Sequence, residues 1–220
     1  MAGWAGLDIG CGEAHNTRLV AARGARLGAF DLAPAFLRQA VASERTHPAG
    51  VRYLRASVVD LPFRSAAFDV AMAPMSLVDL PGPTRALAET FRVLRPGAFF
   101  QFSITHPCVV TPHLRWGRDA VGWKLARQVG RYFDRLSDEI EEWRCGAAPP
   151  EIRERVWVFR VPRFDWTLAE WLNRPNEAGF RRERALEPCP SDEVARPHPA
   201  IADGRLLPNF LQLRWRKPSP

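Results

Sequence analysis

The stretch that decides the fold is Leu7–Asp8–Ile9–Gly10–Cys11–Gly12–Glu13, which follows residues typical of a buried strand and precedes an amphipathic segment. Its two glycines have the spacing G-x-G. Glycine is needed in such a turn because the backbone must bend sharply and a ligand must approach it closely. In an open parallel sheet, ligands bind beyond the carboxyl ends of the strands, where this first turn lies. We therefore expect a small-molecule site at this turn.

The segments on both sides of the turn alternate short apolar runs with amphipathic stretches, which is typical of a parallel sheet flanked by helices. The pattern predicts strands at residues 4–9, 25–30, 51–54, 68–72, 98–104, 182–186 and 206–216. Helices are predicted at residues 16–23, from Pro34 onward, at 84–94, and after the capping box Thr167–Glu170. The predicted fold class is α/β: a Rossmann-like, mostly parallel seven-stranded sheet flanked by helices, with the last strand antiparallel.

The distribution of cysteine and of apolar residues argues against several classes of protein. The four cysteines contain no CxxC pair, which argues against a zinc site and against a small disulfide scaffold. We therefore expect no metal and a reducing cytoplasm. No apolar run reaches the roughly 18–20 residues that a spanning helix needs, and we see no secretory signal at the N-terminus. A cytoplasmic protein without a membrane span is expected.

The formal net charge of +7 raises the question of a nucleic-acid partner. Lys124 and Lys217 are the only lysines, so arginine supplies almost all of the positive charge. The arginines are spread along the chain and interleaved with acids, as in residues 135–139. This pattern favours a solvated basic surface over a nucleic-acid interface.

The charge at the turn distinguishes between nucleoside cofactors. Asp31 ends the second strand, 21 residues after Gly10, at the spacing where a carboxylate reaches the hydroxyls of a ribose. Dinucleotide sites favour a third glycine where this chain has His15. Asp8 would repel a pyrophosphate but would attract a cation, such as the ammonium and sulfonium of S-adenosylmethionine. The residues therefore favour this methyl donor over a nicotinamide cofactor.

Five elements in order resemble the class I S-adenosylmethionine-dependent methyltransferase superfamily: Leu7–Gly12, Asp31, Ser57–Phe63, Phe68–Val70 and Phe91–Gly97. The most similar group is methyltransferase type 11, which includes quinone-biosynthesis methyltransferases. The resemblance covers about residues 4–105 and extends loosely to residue 216.

The resemblance implies S-adenosylmethionine as the cofactor and a set of residues that bind it. These are Asp8, Gly10, Cys11, Gly12, Asp31, Leu32, Ser57, Val58, Pro74 and Met75. Asp8 and the backbone of Gly10 and Gly12 would hold the methionine part, and Asp31 would bind the ribose. Leu32, Ser57 and Val58 would then contact the adenine. Pro74 and Met75 would face the methionyl chain and the transferring methyl group.

The implied activity is methyl transfer to the oxygen, carbon or nitrogen of a small-molecule acceptor. A general base is needed only where the acceptor atom keeps its proton at neutral pH. His106, after the fifth strand, is the candidate catalytic base, with a purely structural role as the alternative. Asp79, after the fourth strand, could contact the acceptor or be a loop residue. We predict a single domain of residues 1–220: a cofactor-binding half (1–105), an inserted cap or acceptor-pocket segment (106–165), and a closing helix and strand hairpin (166–220).

The insertion is rich in aromatic and basic residues. Its sequence pattern predicts a helix around Ala120–Trp143. Its aromatic residues are Trp116, Trp123, Tyr132, Phe133 and Trp143. On a helix such a set is usually core, but it would also suit an apolar or aromatic acceptor. Arg115 and Arg118 could pair with a carboxylate on that acceptor or lie on the surface.

Departures from the family pattern leave alternatives open. Ala14 replaces a third glycine, Ser57 replaces an aspartate that receives the adenine amino group, and three residues precede Trp4 where the family has a helix. A catalytically weakened binding or scaffold protein is therefore the alternative to an enzyme. Residues 73–76 lack the Asn- or Asp-Pro-Pro-aromatic motif of nucleic-acid amino-methyltransferases, while RNA methylation of another kind stays open.

Overall fold

The computed structural model describes residues 3–135, 139–143 and 159–219. The strands are β1 (Ala5–Ile9), β2 (Arg26–Asp31), β3 (Arg52–Arg55), β4 (Phe68–Pro74), β5 (Leu94–Thr105), β6 (His113–Arg118), β7 (Lys124–Gly130), β8 (Glu139–Trp143), β9 (Phe159–Arg163), β10 (Arg181–Leu186) and β11 (Phe210–Arg216). The α-helices are α1 (His15–Ala21), α2 (Pro34–Thr46), α3 (Pro83–Val93), α4 (Leu168–Glu177) and α5 (Asp192–Ala195). Two 3-10 helices span Leu77–Asp79 and Pro199–Arg205.

Seven strands form one sheet in the order β10-β11-β5-β4-β1-β2-β3. β1 pairs in parallel with β2 on one side and with β4 on the other. The chain therefore moves outward in opposite directions from β1, which places the topological switch point between β1 and β4. β10 and β11 pair antiparallel. The predicted mostly parallel seven-stranded sheet is confirmed.

The starts of α2 and α3 and the buried face of α3 follow from their sequences. Pro34 and Pro83 stand at the first positions of α2 and α3, where the missing N–H of proline has no helical partner to lose. α3 buries Ala86, Leu87 and Thr90, which are spaced so that they share one helix face.

The core of the sheet follows the alternation of β5. Phe100, Phe102 and Ile104 are buried, while the residues between them are partly exposed. The rings of Phe100 and Phe102 lie 5.2 Å apart, and Phe102 lies 5.8 Å from the ring of Trp171 in α4. Because these side chains pack from both the sheet and the closing helix, α4 is held to the sheet by aromatic contacts.

The chain divides into two compact units. The first contains residues 1–104, 171–186 and 212–220, and the second contains residues 105–170 and 187–211. The predicted arrangement as a single domain with an inserted cap stays a prediction. Among the described residues, no helix has the length and apolar character that crossing a membrane requires.

One prediction for the second unit is wrong. The helix expected around Ala120–Trp143 is absent over the described part of that range, which instead contains β7 and β8. β6 and β7 form an antiparallel hairpin. Asp119 starts its turn, because its Oδ1 accepts hydrogen bonds from the N–H groups of Val121 and Trp123, at 3.0 and 2.8 Å. Gly122 has a φ of 94°, which a helix does not allow.

The closing helix begins as predicted. The N–H of Glu170 donates to Thr167 Oγ1 at 3.3 Å, and the N–H of Thr167 donates to Glu170 Oε2 at 2.9 Å, which is the reciprocal pattern of a capping box. Pro175 lies within the last turn of α4, which ends at Glu177. The last strand starts at Phe210 rather than at residue 206, after a 3-10 helix that the sequence pattern did not predict.

Candidate functional site

The glycine turn after β1 has a backbone that glycine alone adopts without strain. Gly10 and Gly12 have φ values of 66° and 56°. A Cβ atom on Gly10 would lie 2.4 Å from Ser76 Cβ, whereas one on Gly12 would have no neighbour within 4 Å. Ser76 Oγ donates to the Ile9 carbonyl at 2.5 Å, so Ser76 cannot easily move away. Gly10 is therefore required by both its conformation and its surroundings.

Ala14 closes the same turn in a left-handed conformation. Its φ is 68°, and its side chain is fully buried. A non-glycine residue in this conformation costs roughly 1–2 kcal/mol. Glycine would adopt this conformation without that cost, and the structure shows that this chain forms the turn with alanine.

Asp31 ties the turn to the end of β2. Its Oδ2 accepts the N–H of Gly12 at 2.8 Å, and its Oδ1 accepts the N–H of Ala33 at 2.8 Å. A carboxylate has about four lone-pair positions. Asp31 can therefore accept further hydrogen bonds from the two hydroxyls of a ribose without releasing the turn.

A crevice of about 570 Å³ lies beside the turn. Eight of the ten predicted cofactor residues line it: Gly10, Gly12, Asp31, Leu32, Ser57, Val58, Pro74 and Met75. The other lining residues are Ile9, Phe30, Ala33, Phe36, Ala56, Ser76, Leu77, Asp79 and Leu80. The described lining therefore carries two carboxylates, those of Asp31 and Asp79, and no basic side chain. Such a lining favours a cationic ligand over a pyrophosphate.

Asp8 is not among the lining residues of the crevice. It is 1% exposed, and its Oδ2 accepts a hydrogen bond of 2.6 Å from Thr17 Oγ1. Burial raises the pKa of its carboxyl to about 7, against the lowering effect of the Thr17 hydroxyl. Asp8 Oδ1 has no hydrogen-bond partner in the described part of the chain. A direct contact of Asp8 with the methionine part stays a prediction.

Cys11 also lies away from the crevice lining. Its thiol packs against a core cluster that includes Ala25, Leu27 and Ala29. Burial raises the pKa of the thiol to about 12. The backbone N–H of Cys11 donates to the Phe30 carbonyl at 2.9 Å. The geometry thus gives Cys11 a packing role within the turn, and its predicted cofactor contact stays a prediction.

An ion pair on α3 holds the segment that carries Ser57 and Val58. Glu89 Oε2 accepts the N–H of Leu61 at 2.8 Å, and Arg92 donates to the carbonyls of Leu61 and Phe63 at 2.9 and 2.7 Å. The hydrogen bond from Arg92 lowers the pKa of Glu89 to about 2. These contacts of Glu89 and Arg92 hold the connection between β3 and β4, which contains no named helix or strand.

Pro74 and Met75 form the opposite wall at the end of β4. Met75 has a φ of 61°, which is uncommon for a side chain of this size. Its N–H donates to the Ser103 carbonyl of β5 at 3.0 Å. Backbone strain of this kind often accompanies functional positions, and Met75 is one of the residues that line the crevice.

His106 lies in the second unit and is not among the residues that line the crevice. Its ring is buried. Nε2 is 2.9 Å from Glu187 Oε1, and Nδ1 accepts the N–H of Cys108 at 3.2 Å. Both ring nitrogens therefore have protein partners, which favours the structural alternative. The role of His106 as a general base stays a prediction.

The aromatic residues of the insertion have different surroundings. Trp116 lies under two cations, with Lys124 Nζ at 4.5 Å and the Arg127 guanidinium at 4.2 Å from its ring centre. Trp123 and Phe133 are 73% and 81% exposed. The side chain of Trp143 lies outside the described part of the structure. These aromatic residues thus do not form the face of one helix, and their role in an acceptor pocket stays a prediction.

Sequence reasoning did not assign Ser76 to the site and left Asp79 undecided between acceptor contact and loop. Ser76 fixes the turn through Ile9, and Asp79 adds a second acid to the crevice. Both follow β4 directly, and the end of a strand at the switch point is the signal that could have identified them.

The comparison with known proteins agrees with this geometry. Residues 7–102 match the family described as methyltransferase domain. Malonyl-[acyl-carrier protein] O-methyltransferase of Serratia marcescens is 37% identical over 100 residues, which cover 44% of this chain and 36% of that protein. Demethylmenaquinone methyltransferase of Tropheryma whipplei (strain Twist) is 29% identical over 142 residues, which cover 62% of this chain and 59% of that protein. The chain thus spans less than two thirds of the length of these relatives.

Solved structures match over nearly the whole chain. An S-adenosylmethionine-dependent methyltransferase from Mesorhizobium loti has a TM-score of 0.77 and 25% identity, covering 98% of this chain and 91% of that one. A structure from Listeria monocytogenes has a TM-score of 0.76 at 21% identity, covering 98% of this chain and 90% of that one, and it supports the fold. Over residues 7–102 the chain is therefore similar to methyltransferase domains, and its fold is the one seen in these S-adenosylmethionine-dependent methyltransferases.

Proposed function

We propose that this protein transfers a methyl group from S-adenosylmethionine to a small-molecule acceptor. The observation that carries the proposal is the crevice at the switch point, which combines a positive-φ glycine turn with two carboxylates and, among the described residues, no basic side chain. When bound, S-adenosylmethionine supplies an activated methyl group on a positively charged sulfur. The residues of the crevice fit this cofactor better than a dinucleotide.

In this proposal each part of the crevice has a task. Asp31 would accept hydrogen bonds from the ribose hydroxyls, and Leu32, Ser57 and Val58 would surround the adenine. The backbone of the glycine turn, with Pro74 and Met75 opposite, would hold the methionine part. Holding an acceptor atom in line with the methyl group contributes roughly 7–11 kcal/mol to such reactions, so positioning by these residues is the main catalytic contribution.

The acceptor is proposed as a small molecule, apolar or aromatic, with an oxygen, carbon or nitrogen nucleophile. The relatives are named after different acceptors, so their names do not choose among these atoms. A cytoplasmic location and the absence of a nucleic-acid partner are part of the same proposal. The alternative of a scaffold without catalysis has no specific observation in its favour.

Calorimetric titration with S-adenosylmethionine tests the proposal directly. Charge-assisted hydrogen bonds are worth roughly 1.5–3 kcal/mol, so Asp31→Ala should weaken binding about ten- to a hundredfold. Glu13→Ala is the matched control, since it removes an exposed carboxylate next to the turn that does not line the crevice. An absence of binding to the unchanged protein, or equal losses in both variants, would contradict the proposed site.

A further inference from the structure

Asp79 is an acidic residue of the crevice that the architecture of the turn does not require. It ends the 3-10 helix Leu77–Asp79 after β4 and lines the crevice together with Asp31. Asp31 holds two backbone N–H groups. Within the described residues, by contrast, the carboxylate of Asp79 takes part in no hydrogen bond or ion pair. Asp79 therefore contributes charge to the crevice without a polar contact to another described residue.

The surroundings of Asp79 oppose its negative charge. The surrounding protein raises the pKa of its carboxyl, and the negative charge of Asp31 adds to this effect. Asp79 is nevertheless exposed to solvent. A cation placed beside both carboxylates would reverse the repulsion.

We propose that Asp79 makes this crevice prefer the positively charged methyl donor to its neutral product, S-adenosylhomocysteine. The inference rests on the proposed function. The sulfur of both nucleosides is bonded to C5′ of the ribose whose hydroxyls Asp31 would hold. This sulfur carries a positive charge before transfer and none afterwards. A second carboxylate in the same crevice therefore adds negative charge to the site in which the charge of the ligand changes.

The other two acids of the site are poorly suited to this discrimination. Asp31 would bind the ribose, which is identical in donor and product, so its loss should weaken both to the same extent. Asp8 is buried behind the turn, and burial raises the pKa of its carboxyl to about 7, so much of its charge is neutralised by a proton near neutral pH. Asp79 is the crevice carboxylate whose effect depends on the ligand charge.

The experiment compares two affinities in matched variants by calorimetry. Asp79→Asn removes the charge and keeps the size of the side chain. We expect it to weaken the binding of S-adenosylmethionine about tenfold, which corresponds to about 1.4 kcal/mol. The affinity for S-adenosylhomocysteine should change less than about threefold. Asp79→Glu should retain most of the donor preference. Glu13→Gln, which removes a nearby charge outside the crevice lining, should leave the ratio of the two affinities unchanged.

Several outcomes would overturn the inference. Equal weakening of donor and product by Asp79→Asn would give Asp79 a packing role, and no change in either affinity would give it no role in binding. If the unchanged protein binds neither nucleoside, the proposed function itself fails, and the inference fails with it. If it binds both with a ratio that Asp79→Asn does not alter, the proposed function stands and the inference alone is wrong.

A measurement on the unchanged protein keeps the test independent of the stability of the variant. Salt screens interactions between accessible charges, and the Debye length falls from about 30 Å at 0.01 M to about 3 Å at 1 M. The preference for S-adenosylmethionine over its product should therefore decrease as salt is raised. A ratio of affinities that does not change with salt would contradict a role for the accessible carboxylate of Asp79.

Discussion

The seven-stranded sheet and the β6–β7 hairpin are both built from strands, but they bury their side chains differently. In β5 every second residue is buried from Ala98 to Ile104, whereas no residue of β6 or β7 is buried. Trp215 of the sheet is 0% exposed, and Trp123 of the hairpin turn is 73% exposed. A two-stranded ribbon has no second layer to cover its faces. The comparison indicates that stability comes mainly from the sheet and that the hairpin leaves apolar side chains exposed.

The largest expected effect is on stability and concerns Trp215 in β11. Trp215→Ala should lower the free energy of unfolding by about 3–5 kcal/mol, because it removes a fully buried indole from the core and leaves a cavity. Urea denaturation followed by circular dichroism measures the change. A decrease in the free energy of unfolding of less than about 1 kcal/mol would contradict the view that the sheet stabilises the protein more than the hairpin does.

A smaller effect concerns the buried acid behind the glycine turn. Burial raises the pKa of Asp8 to about 7, above its ordinary value of 3.8, so the folded protein binds a proton that the unfolded chain has lost between these two values. Stability should therefore fall as the pH rises through this range. Between pH 5 and pH 8 the free energy of unfolding of the unchanged protein should fall by on the order of 2 kcal/mol more than that of the Asp8→Asn variant.

The measurement for Asp8 is the free energy of unfolding in urea at both pH values for both proteins. Because other titrating groups are shared by the two proteins, the difference between their pH dependences isolates Asp8. Parallel pH profiles would show that the carboxyl is not held in an environment that opposes its charge.

The smallest expected effect belongs to the hairpin. Trp123→Ala should change the free energy of unfolding by no more than about 0.5 kcal/mol, since an exposed side chain loses little packing. The same urea denaturation that is used for Trp215→Ala measures it, which makes the two tryptophans a matched pair. A loss of about 2 kcal/mol or more would show that Trp123 is packed in solution and that the hairpin contributes to the fold.

The seven-stranded sheet and the starts of its helices could be predicted because their sequence signals are local. Buried parallel strands appear as short apolar runs, and Pro34 and the Thr167–Glu170 box mark helix starts through contacts within a few residues. Eight of the ten residues assigned to the cofactor line one crevice for the same reason, since the carboxyl ends of neighbouring parallel strands meet at one edge.

The insertion could not be predicted in the same way. Its aromatic and arginine residues fit a helical face as well as a strand, and the turn that decides between them depends on the Asp119 side chain and on the φ of Gly122. The sequence also did not reveal that Asp8 would lie outside the crevice lining while Asp79 lies on it. Contacts between residues far apart in the chain, or between a side chain and a turn backbone, have no periodic signature.

The sequence by itself determined the sheet, the switch point and the position of Asp31 at the end of the second strand, because strand periodicity and motif spacing are properties of neighbouring residues. The tertiary structure alone decided the charge of the site. It buried Asp8 beside Thr17, where solvation of the carboxylate is lost, and placed Asp79 beside Asp31 at the crevice. A pKa depends on burial and on nearby charges, and both are set when the chain folds.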